Sequence, residues 1–154
     1  MDSLRSLILQ NRSILEPAFR TTASLVGCGM LFATSYALIS PAGFADKGFK
    51  LPLPPFSPPP KSTKSSSPHP ADPKAWLVPF AGREAAIGSI ILTLLYFGEL
   101  KALSLCFGPM MLAAVADTAS VVLYGQPGEW MAHGIPTLLL SWVAPVGLVL
   151  YAGL

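Results

Sequence analysis

Residues 102–124 read ALSLCFGPMMLAAVADTASVVLY: apolar almost throughout, with one acid, Asp117. A helix rises about 1.5 Å per residue, so a run of this length crosses a hydrocarbon core of about 30 Å. A carboxylate inside such a span is costly and faces either a partner or a polar cavity. The stretch therefore predicts a transmembrane helix, and it requires the rest of the chain to supply company for Asp117.

Composition points the same way. Of the 154 residues, 52% are hydrophobic and 12% charged, against about 25% charged in soluble domains. The mean hydropathy is +0.56. These values place the chain in the membrane class, with the lipid bilayer as its surroundings and room for four spans. A net charge of +2 is too small to argue for nucleic acid, and no nucleic-acid motif occurs. Cys28 and Cys106 both sit in apolar runs, as buried thiols do, rather than in a disulfide or metal pattern. No metal motif, P-loop, dinucleotide fingerprint or nucleophile elbow is present, so neither a metal nor a cofactor is expected.

Working outward, residues 1–19 space Leu4, Leu7, Ile8, Ile14 and Leu15 helically around Arg5, Gln10 and Arg12. That predicts a short amphipathic helix at the membrane surface, ended or kinked by Pro17. Acidic Asp2 and Glu16 disfavour a mitochondrial transit peptide, and the apolar stretch behind Arg20 is too long for a signal peptide. Residues 20–40 form the first span. Its small residues, Ala23 and Gly27 among them, suit close helix packing or a ligand groove, and Pro41 stops it. Residues 41–81 are rich in proline and serine and read as an extramembrane loop. Its PPFSPPPK run has the form of a proline-rich docking segment, or of a plain solvated linker. His69 there lacks a second ligand.

Residues 82–154 hold three further spans. The second starts at Arg83-Glu84, and Gly82, Ala85, Ala86, Ser89 and Thr93 mark its packing face. Gly98-Glu99-Leu100-Lys101 is a turn too short to permit anything but antiparallel neighbours. The third span is the opening stretch, kinked at Pro109. The fourth runs over 134–154, with Pro136 in its first turn and Pro145 kinking its middle. Trp76, Tyr124, Trp130 and Trp142 suit interfacial belts, Trp142 also a deeper level. Basic residues favour a cytosolic long loop only slightly, and the Asn11-Arg12-Ser13 sequon is usable only with a luminal N-terminus.

Four antiparallel spans gather Arg83, Glu84, Asp117, Glu129 and His133 at one membrane face. Asp117 falls about 10 Å below Tyr124 along the helix, within reach of Arg83. One reading is a structural clamp in which Arg83 and Asp117 pair and so make both charges tolerable near hydrocarbon. Another is a small pocket in which Asp117, Glu84 and His133 are catalytic, the carboxyls donating a proton and the imidazole accepting one. That chemistry suits isomerisation or cyclisation of a lipophilic substrate. A third is a scaffold that holds a membrane-protein partner through its small-residue faces.

These stretches, AGREAAIG and GELKALSLCFGPMMLAAVADTASVVLYGQPGEWMAHG, resemble the small four-helix membrane family labelled domain of unknown function 4267, itself similar in outline to the DoxX-like proteins. The elements that match are Pro41 to Phe44, Gly82, Arg83, Glu84, Asp117, Gly125 and His133. The resemblance covers Ser24 to Leu154 apart from the Pro/Ser loop, which is longer than usual, and Glu84 stands where many members have Asp. It implies an all-α, four-helix membrane protein and no particular reaction. Members occur in fungi and bacteria, some fungal ones in natural-product gene clusters. The resemblance thus implies a lipophilic small molecule as ligand class and, for a fungal-type member, an endomembrane such as the endoplasmic reticulum ahead of the plasma membrane.

Overall fold

The computed structural model of the protein describes residues 2–44, 74–124 and 131–153. Among these residues there are helices and turns and no strand. Helix α1 spans Asp2–Gln10, α2 Arg12–Ile39, α3 Pro41–Phe44, α4 Lys74–Tyr96, α5 Leu100–Tyr124 and α6 Met131–Gly147. The last continues as a π-helical stretch, Leu148–Ala152. Four helices are long and apolar enough to cross a bilayer: Arg12–Ile39, Leu77–Tyr96, Leu100–Leu123 and Gly134–Ala152. The expected all-α bundle of four transmembrane helices is the observed one, and most of the Pro/Ser loop lies outside the described residues.

Three boundaries differ from the expected ones. The break near the N-terminus falls at Asn11, not at Pro17. Asn11 donates from both its backbone N and its Nδ2 to the Leu7 carbonyl, at 3.2 and 2.8 Å, and so closes α1. Pro17 then lies early in α2, where its missing N–H deprives only the carbonyl of exposed Ser13. Helix α4 begins at Lys74, ahead of Gly82, and takes Pro79 into its early turns. Packing favours this extension, because Leu77 and Ala81 are buried against Ala37 and Phe44. Finally, Pro41 ends one helix but also starts α3, where a fixed φ suits the first helical position.

The spans pack as two pairs. Helices α2 and α4 make the most extensive contact, α5 and α6 the next, and the pairs meet through fewer residues. The α2–α4 seam depends on missing side chains: a Cβ on Gly88 would lie 2.9 Å from the Gly27 carbonyl oxygen. Small residues at such seams let backbones approach closely. Thr34 Oγ1 donates across the seam to the Ala81 carbonyl at 3.1 Å. Between α5 and α6, the Thr118 and Thr137 hydroxyls lie 2.8 Å apart, and both reach the Ala114 carbonyl. In hydrocarbon such bonds between helices replace the partners that water supplies elsewhere.

The connection from α4 to α5 is tight, as its sequence requires. Gly98 has φ +74°, a conformation glycine adopts without strain. The Gly98 N–H bonds the Leu95 carbonyl and the Glu99 N–H the Leu94 carbonyl, which is a Schellman closure. Beside this turn the core is dense. Phe19, Leu103, Phe107 and Val143 are fully buried there, with Ile91 and Ala23. Phe19 meets Phe107 edge-on at 5.7 Å and Tyr151 at 5.2 Å. Trp142 packs against this core from α6.

The outer faces are apolar too: Phe32, Ile39, Leu112, Leu123 and Leu138 are well exposed. Apolar exposure on every span suits acyl chains, not water. The protein is an integral, multi-pass membrane protein.

Candidate functional site

Between the two helix pairs lies a cavity of about 390 Å³. All four spans line it: Val26 and Met30 from α2, Ile87 from α4, Met110, Ala113 and Ala114 from α5, Pro136, Leu139 and Leu140 from α6, with Phe44 of α3 and Phe80 of α4. The volume lies within the range of small-molecule sites. Leu25, Gly29, Ala113 and Pro136 are lining residues that are also exposed, so the cavity opens to the outside of the bundle. Its residue types explain the space. Opposite Met and Ile stand Gly29, Ala33, Ala113 and Ala114, which fill little volume.

The charges of the lining sit together. Arg83, Glu84 and Asp117 are the charged groups of the wall among the described residues. Arg83 Nη2 lies 3.2 Å from Asp117 Oδ2 and 3.0 Å from Glu84 Oε1, and Nε donates to the same Glu84 oxygen at 3.0 Å. One guanidinium thus serves two carboxylates. Its Cζ lies 5.2 Å from the centre of the Phe80 ring, so the aromatic face covers one side of the cation. Glu84 is the most enclosed of the three side chains (13% exposed, against 35% for Asp117 and 44% for Arg83). The arrangement follows from local sequence. Phe80 precedes Arg83 by one helical turn, and Ala113 and Ala114 precede Asp117 by another.

Of the residues expected at this face, the structure brings Arg83, Glu84 and Asp117 together. His133 is the third residue of α6, and its side chain lies outside the described ones, as does Glu129. Trp76, Tyr124 and Trp130 are in the same position. Sequence reasoning missed Phe80 and the Thr118–Thr137 clasp, and had Phe44 in the family pattern but not at the site. Phe80 was detectable from its spacing to Arg83. Phe44 was not, because the short helix that places it follows a proline that reads as a stop. Among the described residues no group of histidines, cysteines and carboxylates is arranged to hold a metal ion.

The family model described as "Domain of unknown function (DUF4267)" matches residues 27–150. That segment contains the C-terminal part of α2, all of α4 and α5, and α6 with most of its π-helical end. The chain belongs to this family. No curated protein and no solved structure matches it.

Proposed function

We propose that the protein binds, or helps to process, a lipophilic metabolite held in the cavity between the two helix pairs. The observation that carries this reading is the cavity itself: about 390 Å³, apolar over most of its wall, with polar groups confined to the Arg83–Glu84–Asp117 cluster. A few convergent polar groups in an apolar pocket fix a ligand's orientation. The opening among exposed lining residues gives an apolar molecule a route in from the bilayer. An endomembrane location and a role in a natural-product pathway accord with the lipophilic ligand class.

Isomerase or cyclase chemistry by Asp117, Glu84 and His133 is the second reading. It requires a carboxyl free to exchange a proton with the substrate, whereas Arg83 engages both carboxylates. The shared Arg83 therefore supports binding ahead of acid–base catalysis. A scaffolding role would use the outer faces and leave the cavity idle.

The test is to purify the protein in mild detergent and extract it for mass spectrometry, beside an Ala113→Phe variant that fills the cavity. A lipophilic compound retained by the native protein and lost from the folded variant is expected. Equal retention by both would place the compound on the outer surface and end this reading.

A further inference from the structure

The hydrogen-bonding capacity of the cluster defines the head group that the cavity accepts. Arg83 commits Nε and Nη2 to Glu84 and Asp117. Its positive charge is thereby already divided between two carboxylates, and Phe80 covers one of its faces. Asp117 accepts from Arg83 through Oδ2 alone. Its other oxygen has room for further donors, since an ionised carboxylate offers about four lone-pair sites. Asp117 is half-buried and forms part of the cavity wall, beside Ala113 and Ala114.

We propose that the cavity selects an apolar ligand with a hydrogen-bond-donating, non-anionic head, a hydroxyl or an amine, which donates to Asp117 Oδ1. The tail lies along Val26, Met30, Ile87, Met110 and Leu140. An anionic head is excluded. Among the described residues the wall has no further cation to neutralise it, and it would stand beside carboxylates in surroundings of low dielectric, where like charges repel strongly. This inference rests on the reading of the cavity as a ligand site.

The experiment uses the full chain in lipid nanodiscs and three diazirine probes that share one alkyl chain and end in a hydroxyl, a primary amine or a sulfonate. Labelled residues are mapped by mass spectrometry, and labelling of the cavity wall at Met110, Ala113 and Leu140 is scaled to Leu112 on the outer face of α5. The alcohol and the amine are expected to label the wall about tenfold more than the sulfonate. In Asp117→Asn, which leaves Arg83 paired with Glu84 and removes one negative charge, that preference is expected to fall to about twofold or less. Equal labelling of the wall by all three probes on the native chain overturns the head-group selectivity and leaves the ligand site standing. Labelling by every probe no stronger at the wall than at Leu112 overturns the ligand site itself. A folded Asp117→Asn protein that keeps the full preference assigns the selectivity elsewhere and overturns the role of Asp117. Should that variant not fold, the three probes on the native chain decide the matter alone.

Discussion

The bundle carries two charge clusters of opposite make-up. Near the start of α2 one acid, Glu16, stands between two arginines, with Arg12 Nε at 3.3 Å and Arg20 Nη2 at 3.2 Å. At the other end of the α2–α4 pair one arginine, Arg83, stands between two acids. The first cluster is local, with i, i+4 pairs on one exposed helix face, and the core beneath it is filled by Phe19 and Phe107. The second joins α4 to α5 across the cavity. The difference teaches where a polar group in a membrane bundle has work beyond helix stability. Charges above a filled core can do little but steady their helix and meet the headgroups. Charges above a hollow are available to whatever enters it.

The contrast breaks first on packing. Gly147 lies in the filled half, where an added Cβ would sit 2.5 Å from a Phe19 ring carbon and 2.9 Å from Ser104 Cβ. Ser104 and Phe19 are both fully buried and cannot swing away. Gly147→Ala is expected to destabilise by about 1–3 kcal/mol, as overpacked cores do, read as a lowered melting temperature in detergent. Ala113→Leu, in the hollow half, is expected to change stability by less than about 0.5 kcal/mol, as substitutions clear of tight packing do. If the two variants melt alike, the halves do not differ in packing and the cavity is not a real void.

The next effect concerns the shared guanidinium. Arg83→Gln leaves Glu84 and Asp117 without their common cation, one of them well enclosed. It is expected to cost about 1–2 kcal/mol, below the range for a fully buried pair because the cluster is partly exposed. Asp117→Asn leaves Arg83 paired with Glu84 and should cost less, under about 1 kcal/mol. Folded yield and melting temperature of both variants check the order. Equal losses would mean that Asp117 and Arg83 act as a simple pair, and the asymmetry drawn from Glu84 would fail.

Sequence made part of this legible and not the rest. The four spans follow from apolar run length, and the approach of Arg83 to Asp117 from the short turn at Gly98 together with helical rise. Glu84 as a co-ligand of the same guanidinium did not follow, because adjacent helical residues diverge by about 100° and read as facing different neighbours. Only the long, flexible Arg83 side chain reconciles them. A small pocket at this face was among the readings, but the residues that leave it empty were not visible. The α2 residues Gly27 and Gly29 belong to one small-residue stretch, yet Gly27 is buried on α4 whereas Gly29 has nothing within 4 Å of an added Cβ. Which small residue closes a seam and which leaves a hole depends on helix pairing, and spacing along one helix does not encode its partner.

The smallest effect sharpens the contrast between the clusters themselves. Glu16→Gln removes both ion pairs at the start of α2 while keeping a side chain of the same shape. Both arginines remain exposed, at 56% and 45% of their side-chain surface, and are rehydrated at once. The expected loss is roughly 0.3–1 kcal/mol at low salt, the range of exposed i, i+4 pairs. It should vanish on raising the salt from 0.1 to 1 M, because the screening length falls from about 10 Å to about 3 Å. The loss from Arg83→Gln should persist under the same change, since its carboxylates lie against the apolar cavity wall and are screened less. Melting curves of the native chain and both variants at the two salt levels provide the measurement. A salt-insensitive loss at Glu16 would show that this end also holds its charges away from solvent, and the two clusters would then differ in composition alone.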